Sequence, residues 1–250
     1  MKRTVIIGAS SGIGRELARL YAKEGDILGL AARRLELLET LQAELSGQTH
    51  IRRMDVSQPE EAVLVLTDLV NAMGGLDLLI FCSGTGQLNP GLEWLPERDT
   101  IRVNVSGFTA LACAAMTLFI RQGFGHIAAI SSVAALRGSA ECPAYNASKA
   151  YMSNYLEGLR CKAAAYGKRI TVTDIKPGFV ATAMAQGDGL FWVAPPEKAA
   201  RQIHRIIARR KPGGYVTKRW GLVACVFKLL PRRLYASLSG GSGQDRAREK

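Results

Sequence analysis

A tyrosine, a lysine and a serine in the middle of the chain have the types and spacing to act on one oxygen atom. Tyr145 precedes Lys149 by four residues, and Ser132 lies thirteen residues upstream of the tyrosine. If the segment is helical, the phenol and the ammonium lie side by side on one face. A neighbouring cation stabilises a phenolate and lowers the pKa of a phenol from its ordinary value near 10. Such a tyrosine can exchange a proton with an alcohol or a carbonyl oxygen, so Ser132 and Tyr145 are candidate substrate contacts. Surface helices without any function also carry this spacing, and the interpretation therefore depends on the other motifs.

A glycine-rich turn follows the first apolar run of the chain. Val5-Ile6-Ile7 leads into Gly8-Ala9-Ser10-Ser11-Gly12-Ile13-Gly14, and a segment with helical spacing comes next. Glycines let the backbone approach a phosphate closely, and the N-terminus of the following helix offers free N–H groups. Strand, glycine turn and helix in this order predict a dinucleotide site. We expect its contacts at Gly8, Ser10, Ser11, Gly12, Ile13 and Gly14.

Two arginines follow the second predicted strand, at 26–31. An acidic residue at the end of this strand would bind the ribose 2′-hydroxyl of NAD and repel the 2′-phosphate of NADP. Ala32 stands in that place here, followed by Arg33 and Arg34, and guanidinium groups suit phosphate. We therefore expect NADP rather than NAD. The alternative is that both arginines simply begin a solvated helix face.

Strand and helix segments alternate along the chain. Further strands are predicted at 51–56, 76–81, 127–131 and 170–175, and helices at about 96–119 and 144–166. The spacing of Ser57 and Glu60 predicts a capping box for a helix through Met73. Alternation predicts an α/β fold, a single-domain doubly wound parallel sheet (Rossmann-like) with helices on both faces. In such a sheet the carboxyl ends of the strands form the functional edge.

Length and composition favour one large domain, which we place at residues 1–217. The N-terminus shows no apolar leader, and the five widely spaced cysteines are typical of free thiols in a reducing compartment, so we expect a cytoplasmic protein. The three histidines have no ligands at metal-binding spacing, and we expect no metal site. Residues 239–250 are Gly/Ser-rich and charged, which predicts a disordered tail.

The positive charge is concentrated near the C-terminus. The net charge is +12, and residues 198–233 contain eleven Lys or Arg and no Asp or Glu. The segment 218–238 mixes these basic residues with apolar ones, and its uncharged run is too short to span a bilayer. It could lie peripherally on an anionic membrane surface, cover the substrate pocket or form an oligomer contact. An acidic partner such as acyl carrier protein would also suit the charge, whereas nucleic acid is disfavoured because no aromatic-interleaved groove motif is present.

The loop at 183–192 could be a lid, or a surface loop that tucks Phe191 and Trp192 into the core.

Together these motifs resemble the short-chain dehydrogenase/reductase family, in its short single-domain branch, over roughly residues 3–216. The resemblance places the family's glycine motif on Gly8, Gly12 and Gly14, and its Asn-Ser-Tyr-Lys tetrad on Asn104, Ser132, Tyr145 and Lys149. It implies further cofactor contacts at Asp55, Val56, Ser83, Gly84, Pro177, Gly178, Val180 and Thr182, besides Asn104, Tyr145 and Lys149. The chain departs from the family at Ile7, usually threonine, and at Phe81-Cys82-Ser83-Gly84, usually Asn-Asn-Ala-Gly. We expect these departures to alter local stability or cofactor affinity rather than the chemistry.

The resemblance implies an NADP(H)-dependent carbonyl reductase. Hydride would pass between the nicotinamide and a carbonyl or alcohol carbon of an apolar small molecule, lipid-like if the C-terminal segment contacts membrane. Tyr145 would be the general acid in reduction, Lys149 would lower its pKa and hold the nicotinamide ribose, Ser132 would hydrogen-bond the carbonyl oxygen, and Asn104 would hold a water. A homodimer or homotetramer is also implied. The alternatives are a non-catalytic NADP-binding regulator or scaffold on the same fold, and sugar-nucleotide epimerisation, which usually needs a longer C-terminal domain.

Overall fold

Seven parallel strands form a single sheet within the described part of the chain. The computed structural model describes residues 1–167, 169–184, 191–231 and 233–236. The strands are β1 (Arg3–Ile7), β2 (Ile27–Ala32), β3 (Thr49–Arg53), β4 (Leu78–Phe81), β5 (Phe124–Ile130), β6 (Arg169–Pro177) and β7 (Gly213–Val216). They lie in the order β3-β2-β1-β4-β5-β6-β7, and every neighbouring pair is parallel. The order reverses between β1 and β4, where a crevice is expected at the carboxyl ends of the strands.

Helices cover both faces of the sheet, which confirms the predicted fold class. They are α1 (Gly12–Lys23), α2 (Leu35–Glu44), α3 (Pro59–Ala72), α4 (Trp94–Ile101), α5 (Phe108–Gln122), α6 (Pro143–Ala165), α7 (Pro196–Ala208) and α8 (Arg219–Leu229). One core joins α1, α2 and α7 to the sheet through residues such as Leu17, Leu38 and Ile203. The other joins α3, α5 and α6 through residues such as Phe108 and Leu156. Since both faces are covered, a central strand such as β4 is buried at every position.

A wide π-helical turn, Arg102–Gly107, joins α4 to α5. The resulting helix, Trp94–Gln122, is long and apolar enough to cross a membrane by length and composition alone. Its side chains Phe108, Leu111 and Phe119 are buried against the sheet, as in a core helix. The turn opens the helix at Asn104, and π-turns of this kind are frequent at functional sites.

The predicted capping box at Ser57 is wrong. The helix α3 begins at Pro59 and has Gln58 in the capping position, without a side-chain cap. Ser57 instead donates both its backbone N–H (2.9 Å) and its hydroxyl (2.8 Å) to Oδ1 of Asp55. The carboxylate therefore takes the hydroxyl that the capping box needed. The strand β3 ends at Arg53, so Asp55 and Val56 lie in the turn after it rather than within it.

The C-terminal part continues beyond β7 as the helix α8. This helix packs against β7 and against a short 3-10 turn, Val133–Leu136, that follows β5. The division into a domain at 1–217 and a segment at 218–238 stays a prediction. Residues 237–250, which include the predicted tail at 239–250, lie outside the described residues.

Candidate active site

Tyr145 and Lys149 both lie in the first two turns of α6. This helix begins at Pro143, and the carboxylate of Glu97 accepts a hydrogen bond from the backbone N–H of Ala144 (2.9 Å). A negative charge at a helix N-terminus is stabilising, so Glu97 helps fix the start of α6. The ammonium Nζ of Lys149 lies 5.8 Å from the centre of the Tyr145 ring. The helical spacing predicted from sequence thus brings the two side chains together.

Ser132 reaches the same place from the sheet. It follows the carboxyl end of β5, and its Oγ accepts a hydrogen bond from the backbone N–H of Ala134 (3.1 Å). Its hydroxyl is also close enough to the Tyr145 phenol to lower the pKa of that group. The strand end and the helix start therefore hold both hydroxyl groups beside each other at the carboxyl edge of the sheet.

Asn104 is fully buried in the π-helical turn. Its amide Nδ2 donates to the backbone O of Thr85 (2.7 Å) and to Oγ of Ser148 (3.0 Å), and its Oδ1 accepts from the N–H of Thr85 (2.9 Å). A Cβ placed on Gly84 would lie 3.2 Å from Nζ of Lys149 and 3.4 Å from Oδ1 of Asn104. Lys149 and Asn104 therefore both border the chain after β4, as the tetrad requires.

The expected lowering of the Tyr145 pKa is wrong as a net direction for the protein without cofactor, in which this pKa is raised. Burial raises the pKa of Tyr145, and the hydrogen bond with Ser132 only partly offsets it. Burial also lowers the pKa of Lys149 to about 8. Its ammonium donates to the backbone O of Ile130 (3.0 Å) and lies 3.6 Å from Sδ of Met152, so it is directed partly away from the phenol. The phenol is consequently protonated at neutral pH, the state that a general acid needs.

The glycine turn after β1 packs too tightly for side chains. Gly8 has a φ of +87°, and a Cβ there would come within 2.6 Å of the backbone N of Ser83; a Cβ on Gly14 would come within 2.2 Å of the O of Gly8. Ser11 precedes α1 and makes no side-chain cap, so its hydroxyl does not occupy the first N–H groups of α1. This turn fits the pyrophosphate of a dinucleotide.

Arg34 lies over the glycine turn from the end of β2. Its Nη2 donates to Oγ of Ser11 (2.9 Å) and to Oγ of Ser10 (3.2 Å). Arg33 beside it is exposed. The donor set of one guanidinium and two hydroxyls fits a phosphate group at the ribose position.

Asp55 is held as a carboxylate at the neighbouring strand end. Burial acts to raise its pKa, but the two hydrogen bonds from Ser57 and the charge of Arg33 outweigh it and lower the pKa. Val56 is buried beside it, and a Cβ on Gly107 would come within 1.9 Å of the backbone O of Val56. The predicted adenine-side residues therefore follow β3 at the same edge of the sheet as the glycine turn.

The predicted nicotinamide-side residues follow β6. A Cβ on Gly178 would come within 1.9 Å of Nε1 of Trp220, so this indole lies flat against the Pro177-Gly178 turn. Val180 is buried and forms a parallel bridge with Ala194. A Cβ on Gly12 would lie 2.9 Å from Cγ2 of Thr182, which places Thr182 directly opposite the glycine turn.

The two departures from the family pattern lie at the centre of this arrangement. The backbone N–H of Cys82 donates to the O of Ile7 (2.8 Å), so β1 and β4 stay paired at their ends without the usual side chains. Ser83 lies against Gly8. The path of the backbone is thus maintained where threonine and asparagine are replaced.

Some residues that shape the site were not predicted from sequence. Ser148 accepts from Asn104 and donates to the backbone O of Tyr145 (2.7 Å), and a Cβ on Gly86 would come within 2.3 Å of the Tyr145 ring. Ser148 could have been found from its place between Tyr145 and Lys149. Gly86 and Thr85 carry no sequence signal, because their role depends on a loop that folds back over α6.

The C-terminal segment contacts the loop that follows Ser132. Arg137, just after the 3-10 turn, donates from Nε to the backbone O of Phe227 (2.7 Å) and from Nη2 to the O of Leu230. The hydroxyl of Tyr235 donates to the O of Gly138 (2.5 Å). These bonds place residues 227–235 against the loop after Ser132, and all three alternatives for the segment 218–238 stay predictions.

An aromatic cluster connects α8 with the described end of the predicted lid. Phe191 lies 5.8 Å from Phe179 and 5.2 Å from Trp220, and Trp192 lies 6.1 Å from Trp220, measured between ring centres. Phe191 and Trp192 remain about half exposed, so they are not tucked into the core. Residues 185–190 of the predicted lid lie outside the described residues.

Comparisons with known proteins agree with this geometry. Residues 2–189 match the family described as short chain dehydrogenase. An uncharacterized oxidoreductase of Myxococcus xanthus is 35% identical over 184 residues, covering 72% of each chain. The 11-beta-hydroxysteroid dehydrogenase A of Sesamum indicum is 34% identical over 194 residues, covering 74% of this chain and 54% of that protein. A crystal structure of an actinorhodin polyketide ketoreductase with NADPH is similar at a TM-score of 0.76 and 25% identity, covering 86% of this chain and 95% of that one.

Proposed function

Because the chain belongs to the short-chain dehydrogenase/reductase family and is an oxidoreductase, we propose that it reduces the carbonyl group of an apolar small molecule with NADPH. One observation carries the proposal: Ser132, Tyr145, Lys149 and Asn104 converge at the carboxyl edge of the sheet, beside the glycine turn. A protonated phenol next to a dinucleotide cradle is the arrangement that carbonyl reduction needs.

The preference for NADPH rests on the guanidinium of Arg34 above the glycine turn. It bonds the hydroxyls of Ser10 and Ser11, and no carboxylate stands at Ala32 to repel a 2′-phosphate. The ketoreductase of similar structure was solved with NADPH, which supports the same choice. NADPH, when bound, would supply the hydride that the carbonyl carbon accepts.

The protein's own residues would handle the proton. Ser132 donates a hydrogen bond to the carbonyl oxygen, and Tyr145 transfers its phenolic proton to that oxygen as the carbon–oxygen double bond becomes a single bond. The negative charge left on the phenol is stabilised by the ammonium of Lys149, whose charged fraction decreases as the pH rises above about 8. Asn104 fixes the loop after β4 through Thr85, and we propose that it holds a water for proton return.

An apolar substrate is supported by the aromatic cluster beside the Pro177-Gly178 turn. Phe179, Phe191, Trp192 and Trp220 form this cluster together with α8. One relative is named as a hydroxysteroid dehydrogenase, which agrees with an apolar substrate. The same family membership supports a homodimer or homotetramer. The five widely spaced cysteines support a reducing compartment such as the cytoplasm.

The experiment is a comparison of the wild type with Tyr145→Phe. Oxidation of NADPH and of NADH is followed over a panel of ketones, aldehydes and acyl thioesters. We expect turnover with NADPH on apolar carbonyls, and a decrease in kcat/KM of about 10²- to 10⁴-fold in the variant, because the proton donor is gone. NADPH affinity, measured by fluorescence titration, should change less than about threefold, since the phenylalanine ring keeps its place in the fold.

The alternative, a non-catalytic NADP-binding regulator, makes the opposite prediction. If the wild type binds NADPH but reduces no member of the panel, and if a strain carrying Tyr145→Phe grows as well as the parent, catalysis is not the role of this chain. Turnover by the wild type that persists unchanged in the variant would instead remove Tyr145 from the mechanism.

A further inference from the structure

The helix α8 presents an apolar face to solvent. Leu222, Val226 and Leu229 are 75%, 59% and 79% exposed, and their spacing of four and three residues places them on one side of the helix. The opposite side, with Trp220 and Ala224, is buried against the rest of the protein. The helix is therefore apolar on both sides, and only one side has a partner among the described residues.

The lid end adjoins this face at the start of α8. Phe191, Trp192 and Val193 are 50%, 47% and 40% exposed, and the Trp192 ring is covered by the guanidinium of Arg219 at 5.8 Å. Tryptophan and phenylalanine are favoured at the boundary between headgroups and acyl chains, because the rings are apolar and tolerate a polar neighbour. These three residues and the exposed side of α8 together are called the α8 surface.

The charged residues of 198–233, the range that includes α8, are all basic. Lys218 and Arg219 are exposed at the start of α8, Arg233 is exposed just beyond its end, and residues 198–233 contain no Asp or Glu. A second copy of the chain that met this surface through the same patch would bring two sets of basic residues into one interface. An anionic membrane surface would instead attract these basic residues. Basic residues flanking an apolar helix face are typical of helices that lie in anionic membrane surfaces.

From these observations we propose that the α8 surface docks the protein onto a membrane rich in anionic phospholipid. The apolar side chains of α8 and of residues 191–193 enter the headgroup boundary, and Lys218, Arg219 and Arg233 contact lipid phosphates. Because Arg137 ties the end of α8 to the loop after Ser132, docking places the substrate side of the site close to the bilayer. Binding to membrane does not depend on the proposed reaction.

The test is flotation of the full-length protein with vesicles of phosphatidylcholine alone or with 30% phosphatidylglycerol, about a third anionic lipid. Two variants remove the surface: Leu222→Gln/Val226→Gln/Leu229→Gln removes its apolar side, and Lys218→Gln/Arg219→Gln removes two charges. The matched control, Arg201→Gln/Arg205→Gln, removes two charges from the exposed side of α7. Thermal melting and NADPH binding check that each variant is folded.

We expect the wild type to float with anionic vesicles and hardly with phosphatidylcholine alone. Partitioning should decrease about tenfold in the apolar variant and about 25-fold in the α8 charge variant, at roughly fivefold per charge, and less than twofold in the α7 control. Failure of the wild type to float, or equal losses in the α7 control and the α8 charge variant, would overturn the proposal. It would also be overturned by a wild type that does not float but sediments as an oligomer that the apolar variant dissociates, since a second copy would then cover the surface. Vesicle binding is read without substrate, so a failed reductase assay leaves this result intact.

Discussion

Burial decides the protonation of the two central side chains more than their mutual charge does. Only 3% of Lys149 is exposed, and its ammonium has the O of Ile130 as its backbone partner. The desolvation that lowers the pKa of Lys149 also raises that of Tyr145, so both groups are biased towards their neutral forms. A neutral phenol is the form that can give a proton to a carbonyl oxygen at neutral pH.

The spacing of Ser132, Tyr145 and Lys149 could be predicted from sequence because a helix and a strand end fix it locally. The direction of the Tyr145 pKa shift could not. It depends on how deeply α6 is buried, and on the position of Gly86 against the ring, which comes from a loop about sixty residues earlier in the chain. The partners of Asn104 were missed for the same reason, since Thr85 has no signature of its own.

A single substitution at Arg34 should change the KM for NADPH much more than the KM for NADH. In Arg34→Ala the phosphate-binding guanidinium is lost, and we expect the KM for NADPH to rise about 10- to 100-fold, as for loss of a charge-assisted hydrogen bond. The KM for NADH should change less than about threefold. The control is Arg121→Ala, an exposed arginine near the end of α5. Equal increases for both cofactors would mean that Arg34 supports the fold of the turn rather than a 2′-phosphate.

At the scale of elements, the ends of helices and strands do most of the positioning. Glu97 of α4 holds the start of α6, the π-helical turn between α4 and α5 directs Asn104 at the loop after β4, and Arg137 holds the end of α8. These bonds join segments 19 to 90 residues apart in sequence.

The alternation of strands and helices was predictable because apolar runs and helical spacing are local. Contacts between the ends of elements that lie far apart in sequence were not predictable, so the sequence alone left three alternatives for residues 218–238. The capping box failed at the same scale, because Asp55 competes for the hydroxyl of Ser57.

We predict that Trp220 supports the Pro177-Gly178 turn, a predicted cofactor contact, from its position in α8. Its side chain is 3% exposed and lies on Gly178, so Trp220→Ala leaves a cavity beneath the Pro177-Gly178 turn. We expect a loss of about 3–5 kcal/mol in the free energy of unfolding and a several-fold weaker NADPH affinity, because the turn loses its support. Denaturant melts and fluorescence titration measure the two effects.

The control for Trp220 is Trp94→Ala, which removes an indole that is 65% exposed at the start of α4. It should change the free energy of unfolding by less than about 1 kcal/mol. If Trp220→Ala loses stability but keeps the NADPH affinity of the wild type, Trp220 serves only the core, and the coupling to the turn is absent.

The whole molecule brings residues from distant parts of the chain to one edge of the sheet. With all neighbouring strands parallel, the turns after β1, β2, β3, β4, β5 and β6 meet at the carboxyl edge. The predicted residues from Gly8 to Thr182 consequently lie along one edge of the sheet. This convergence follows from topology, which is why alternation of elements was enough to predict it.

The same convergence places a charged lysine inside the fold, and this should lower global stability. The pKa of Lys149 falls from an ordinary 10.5 to about 8, and each pKa unit corresponds to about 1.4 kcal/mol, so the charged lysine costs roughly 3 kcal/mol at pH 7. The sign follows from proton binding. Between pH 8 and 10.5 the unfolded chain holds the proton that the folded protein releases, and wild-type stability gains as pH rises through that range.

The variant Lys149→Met should therefore be inactive yet more stable than the wild type at pH 7. Methionine fills a similar volume without a charge to desolvate, although the bond to Ile130 is lost. We expect the difference in free energy of unfolding between Lys149→Met and the wild type, from urea melts, to shrink as pH increases from 7 to 9.5. The reason is that Lys149 of the wild type loses its proton in this range, so the buried charge no longer lowers its stability. The control Lys162→Met removes an exposed lysine from the same helix and should show no such pH dependence. A difference in the free energy of unfolding that stays constant with pH would mean that Lys149 keeps its ordinary pKa in the folded protein. Burial would then not favour the neutral form of Lys149.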